Sequence, residues 1–501
     1  MHFFRIAAFL IVSLNAPLLM AREKSEPLAV AENSSVSPVS VVRVNVTSQP
    51  YDFLRPWSKR APFQRRAVGA VLPGSRVLTT AEQVANATCL ELEKPDSGEK
   101  SPATVEVVDY ECDLAIVAPC DPKFLDGFKP LAVVEPALGD ELAIWQLESN
   151  GTLLKTRAQF TTAEVAPYPV GDDSFLVYRL ASALQARDSG FTLPVVKGGA
   201  LAGMLLRFDS RTQTADVIST PVIRHFLKAA AVKGGYVGFP SAGAQFAALR
   251  DPQLRHYAGL TNGNGGVYIT RVQPGGPADQ AGIQAGDVLL AIGNDPVDQD
   301  GNYIDPHYGK VSIAHLLSCG SSEGAEIRFK LSRKGKELSV PVKLTHSDPS
   351  QSVIESFSID KAPRYHIVGG LVFQELSRQF LKEWGPEWTK KAPERFLYFD
   401  QYQDELFQND PRKRIVILSH VLPSPCTVGY EDLNCLVVTK VNGVELKSLA
   451  DMEAALAKPM DGFHRFEIQG HPGEIVLDAK EVEGIESGLM QNYGLPAMKR
   501  L

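Results

Sequence analysis

Between residue 41 and about residue 230, apolar residues gather in short runs rich in Val, Leu and Thr, at 41–46, 67–72, 77–80, 104–108, 114–117 and 201–206, with Gly, Pro, Asn and Asp between them. Short β-prone runs punctuated by turn residues predict an all-β barrel or sandwich. The spacing changes only at the end of this region, where Val222, Ile223, Phe226 and Leu227 fall on one side of a helix expected over 221–231. Mixed strand-like and helix-like runs then fill two further units, 233–346 and 364–480. A Ser-, Asp- and Pro-containing linker over 347–363 separates them, and a tail of 481–501 follows. Since one apolar core rarely grows beyond about 250–300 residues, a chain of 501 residues is expected to hold about three.

Composition and charge narrow the class. With 44% hydrophobic and 22% charged residues the chain reads as globular. A formal net charge of −7 leaves no cationic face for nucleic acid. At the N-terminus, Arg5 precedes an apolar run over 6–19 that Ser13, Asn15 and Pro17 interrupt, and Leu19-Met20-Ala21 has the small-residue form of a cleavage site. This predicts a signal peptide over 1–21 and a periplasmic or secreted protein. The alternative is a short anchor, although the run falls below the roughly 18–20 apolar residues that span a bilayer. Residues 22–38, rich in Ser, Glu, Pro and Ala, are expected to form a flexible linker. The six cysteines permit disulfides in an exported chain, with Cys426 and Cys435 the first pair to test, or serve as small apolar side chains. No cofactor motif or metal-ligand cluster stands out.

Three segments of the first unit carry candidate chemistry: Leu78-Thr79-Thr80-Ala81-Glu82, Glu111-Cys112-Asp113-Leu114-Ala115, and Arg187-Asp188-Ser189-Gly190. Together they resemble the protease domain of the Deg/HtrA family. The resemblance implies a mainly β chain, with a trypsin-like double β-barrel over 39–232. It puts Ser189 at the nucleophile position and Asp113 at the position that orients the base, while Glu82 stands where the family carries histidine. A serine hydroxyl needs a neighbouring base to take its proton, and a solvated glutamate is too weak for that task. No histidine lies between His2 and His225, so this unit cannot supply an imidazole from its own body. Arg187, where glycine shapes the oxyanion loop in the family, and Phe191, in place of a second glycine, depart further. The expectation is an inactive serine-protease homologue. The alternative is an endopeptidase with a non-standard base, such as Lys197, Glu82 itself or a histidine from a partner subunit.

The second unit carries Tyr236-Val237-Gly238-Phe239, then Gly276-Pro277-Ala278 and Gly286-Asp287-Val288-Leu289. These resemble a PDZ domain. The first motif matches its carboxylate-binding loop, so Tyr236, Val237, Gly238 and Phe239 are candidate peptide-binding residues. On a helix expected over 311–317, Ile313, Leu316 and Leu317 are candidates to line the apolar pocket, some of them serving as core instead, and Leu316 is a candidate peptide-binding residue. Asp287 is expected to hydrogen-bond the turn before its strand. In the third unit, segments 368–377, 415–422 and 438–444 resemble the atypical second PDZ domain of plant-type Deg proteases, which implies a role in assembly. Tyr51, Phe53 and Trp57 resemble trimer contacts of the family and imply a homo-oligomer, or else they pack on the barrel. The partners implied are peptide termini or misfolded protein segments.

Overall fold

The computed structural model describes residues 40–171, 173–185, 192–232, 235–260 and 265–501. The expected signal peptide and linker therefore lie outside the described residues, as do Arg187, Ser189 and Phe191.

Six strands close the first barrel: β1 (Val41–Ser48), β2 (Phe63–Leu72), β3 (Arg76–Thr79), β4 (Ala87–Glu93), β5 (Lys100–Asp109) and β6 (Leu114–Pro119), in the order β1-β2-β3-β6-β5-β4. Its interior is filled by the Val- and Leu-rich runs, with Val42, Val44, Val77, Leu92 and Val117 fully buried. Gly69 sits inside β2 because a Cβ there would come within 2.3 Å of a Val77 methyl. The second barrel closes with β7 (Glu141–Leu147), β8 (Leu153–Pro167), β9 (Ser174–Ser182), β10 (Pro194–Lys197), β11 (Ala200–Asp209) and β12 (Thr214–Ile218), in the order β10-β11-β12-β9-β8-β7. The helix expected at its end spans Thr220–Ala230 and buries Val222, Ile223 and Phe226.

The second unit is built on a sheet whose edge is β13 (Ala244–Ala247), followed inward by β14 (Val267–Val272) and β15 (Val288–Ile292), then by Glu326–Arg333 and Lys336–Lys343. Asp287 accepts the Gln284 N–H at 2.9 Å, as its place before the strand suggests, and also takes a two-pronged bond from Arg333 at 2.7 Å. The short helix of this unit spans Ala314–Leu317, preceded by a strand at Gly309–Ser312.

The third unit is an eight-stranded sheet with a helical insertion between Arg378 and Leu406. Two stretches read as linker and tail are integral to it. Ile354, inside 347–363, is fully buried among Phe380, Phe396 and Ile417. Ala479–Tyr493 forms a helix that buries Val482 and Leu489, and Lys499–Arg500 pairs with Tyr365 and His366 as the last strand of the sheet. Short apolar spacing in these stretches was outweighed by their polar composition; packing against the sheet supplies the order.

Candidate functional site: a triad-like corner and a peptide groove

At the triad-like corner, Asp113 ends the turn between β5 and β6 and adopts a left-handed φ of 53°, a conformation that Asp and Asn tolerate better than most residues. Its carboxyl is 2% exposed and accepts the backbone N–H of Glu82 at 2.7 Å. Burial pushes the pKa of Asp113 up to about 8, and the charge of Glu82 adds to the shift, while the N–H groups of Glu82 and Ala81 oppose it. The carboxyl thus holds its scaffold bond to the short helix Ala81–Val84, and among the described residues its hydrogen bond goes to this backbone and to no imidazole. The Glu82 side chain is exposed, and Arg65 donates to its carbonyl oxygen.

The facing barrel keeps its approach to this corner. Thr192, three residues beyond Ser189, places its hydroxyl 2.8 Å from that of Thr80, and its carbonyl accepts the Val68 N–H at 3.1 Å. The structure therefore brings Glu82 and Asp113 together and sets the chain just past Ser189 beside them; Ser189 itself lies outside the described residues. Lys197 pairs with Asp140, an ordinary ion pair at the surface.

The predicted peptide-binding loop lies against the barrels. Tyr236 donates its hydroxyl to Asp109. Phe239 is buried between His225, stacked at 4.3 Å and 21°, and Phe175 at 4.5 Å. Val237 is 40% exposed. A Cβ on Gly238 would lie 2.5 Å from His346 Nε2, so any larger residue there must displace the His346 ring. His225 Nε2 lies 3.4 Å from the Gly238 carbonyl, and His346 Nε2 lies 3.1 Å from a Glu111 carboxylate oxygen. Both histidines are thus engaged at this loop. Their pKa values move apart: burial lowers that of His225, whereas Glu111 raises that of His346.

Beside the loop opens a cavity of about 460 Å³ between β13 and the helix Ala314–Leu317. Phe239, Phe246, Ile313 and Leu317 form apolar parts of its wall, with Glu111 from the first barrel at one end. Of the residues expected at the peptide groove, Phe239, Ile313 and Leu317 line the cavity; Tyr236, Val237, Gly238 and Leu316 lie outside its lining. Leu317 and Ile313, one helical turn apart, present the face that Leu316 misses by one position.

The aromatic residues before β2 face the third unit of the same chain. Phe53 is buried in its core cluster, its carbonyl accepts the Gln374 amide at 3.1 Å, and Trp57 packs edge-on to Tyr365 at 6.2 Å. Cys426 and Cys435 are both free and pack against different apolar clusters of the third unit, so the sequence turn between them does not bring the thiols together. Among the described residues, no helix is long and apolar enough to cross a membrane.

Two six-stranded barrels joined to PDZ modules define a trypsin-like protease fold with appended PDZ domains. Residues 268–305 and 354–499 each match the PDZ domain family. The chain is similar to the Arabidopsis thaliana putative mitochondrial protease Do-like 3, 26% identical over 91% of this chain and 79% of the relative. It is also similar to the chloroplastic protease Do-like 2 of that plant, 25% identical over 95% and 76% respectively. A solved structure of the HtrA-type protease AlgW with decapeptide aligns over 62% of this chain and 97% of its own, at 16% identity and a TM-score of 0.47. The chain is a protease homologue of the Deg/HtrA family.

Proposed function

We propose that this chain is a non-catalytic Deg/HtrA homologue that holds extended polypeptide, at peptide termini or in misfolded segments, as a scaffold, chaperone or regulator in protein quality control. One observation carries the reading. Asp113 keeps its bond to the helix that bears the base position, but that position is an exposed Glu82, and the buried carboxyl is shifted toward its protonated form. An orienting carboxylate must be ionised to stabilise a charged base, so neither half of the relay operates. The groove beside β13 supports retained recognition, because an exposed sheet edge over an apolar wall suits an added peptide strand. The run after Arg5 supports export to the periplasm or exterior, and a trimer-based homo-oligomer rests on family resemblance alone. The test is casein cleavage by the full chain beside Ser189→Ala. Equal, background-level rates are expected; cleavage that depends on Ser189 would install the rival reading of a working endopeptidase.

A further inference from the structure

Glu111 places a carboxylate at the end of the groove that the PDZ module does not itself supply. It belongs to the turn between β5 and β6 of the first barrel, yet it lines the cavity and its side chain is only 14% exposed. One oxygen lies 3.1 Å from where a Cβ on Gly238 would sit, and the other stands 3.1 Å from His346 Nε2. Burial pushes the pKa of Glu111 up, and the bond to His346 and the backbone N–H of Phe239, which faces the same carboxyl, oppose that shift. A PDZ-type loop captures a chain terminus by offering such N–H groups to the terminal carboxylate. Here the donor already faces a carboxylate. A second one brought into this partly buried place meets like-charge repulsion that water screens poorly. Strand addition along β13, which has one strand neighbour and forms the edge of its sheet, needs no terminus at all.

We propose that Glu111 sets the ligand class of this groove, so that it takes internal extended segments, neutral or basic in character, and rejects free C-terminal carboxylates. This rests on the groove being a peptide site. The experiment is fluorescence anisotropy on the full chain with a fluorescein-labelled decapeptide pool ending in Val, Leu, Ile or Phe. The pool is made as free acids, as C-terminal amides, and with a Gly-Ser extension that renders the same ten residues internal. Amides and extended peptides are expected to bind about tenfold more tightly than acids, and Glu111→Gln to close that gap by tightening the acids alone. His346→Gln, which leaves Glu111 in place without its imidazole partner, is expected to widen it. Acids bound as tightly as amides by the wild type, or a gap that neither substitution moves, would overturn the role of Glu111 while leaving peptide binding intact. If none of the three pools binds, the peptide-site reading fails first and the role of Glu111 with it.

Discussion

Glu111 and Asp113 leave the same turn two residues apart; burial pushes the pKa of each up, but the two meet different partners. Asp113 points into the triad-like corner, where the backbone N–H groups of Glu82 and Ala81 and the charge of Arg65 oppose burial without offsetting it, and its acid form is favoured. Glu111 points into the groove, where an imidazole stands at 3.1 Å and a loop N–H faces it. A buried carboxyl does chemical or binding work according to the partner it meets, and in this chain the imidazole stands on the recognition side. The third unit sharpens the contrast between recognition and structure. Its sheet edge at Tyr365–Val368 is taken by the chain's own Lys499–Arg500, whereas β13 remains an edge beside an open cavity.

If recognition is confined to the β13 groove, opening the third unit must cost stability and leave binding untouched. Removing residues 494–501 strips Leu495 and Met498 from an apolar cluster and bares the Tyr365–Val368 edge. A loss of about 3 kcal/mol or more is expected in denaturant unfolding, with aggregation by light scattering, while peptide affinity per folded molecule stays the same. Altered affinity would mean that the third unit shares the ligand.

The corner is probed by Asp113→Asn, which keeps an acceptor for the Glu82 N–H and tolerates the left-handed backbone. A carboxyl whose folded pKa is raised holds its proton longer folded than unfolded. Its contribution is fully favourable below about pH 4, the unfolded value, and is lost as pH rises toward about 8. Asparagine has no such dependence, so the variant should gain on the wild type between pH 5 and 8, by on the order of 1–3 kcal/mol, and the gap should flatten above that. Thermal melts across that range check the sign; a gap that shrinks with rising pH would place an ionised Asp113 at the corner.

A smaller effect is expected at the loop. Gly238→Glu must displace His346 and crowd Glu111, and overpacking of this kind typically costs 1–3 kcal/mol, so peptide affinity by anisotropy should fall about tenfold. Unchanged affinity would point to a purely structural module.

Much of the barrel architecture was legible in the chain. The runs at 41–46, 67–72, 114–117 and 201–206 all lie in barrel strands, because each is a short apolar run bounded by turn residues. The long strand β8 escaped notice, since Lys155, Arg157, Gln159 and Glu164 dilute its apolar positions and a bulge between Phe160 and Thr162 breaks the period. The missing histidine and the PDZ-type loop were visible as local motifs. The role of Glu111 was not: it depends on residues 238 and 346 folding back onto a turn more than a hundred positions earlier, which no local pattern encodes. Phe53 and Trp57, expected as trimer contacts or as packing on the barrel, pack against the third unit of the same chain, which is likewise a property of tertiary packing.

Reaction with a fluorophosphonate probe bears most directly on the loss of catalysis, since labelling requires a serine whose proton has been taken by a neighbouring base. The full chain, beside Ser189→Ala and an active serine protease treated alike, should label no more than the variant. Labelling of the wild type that vanishes on Ser189→Ala would contradict the account and return the corner to the working hydrolases.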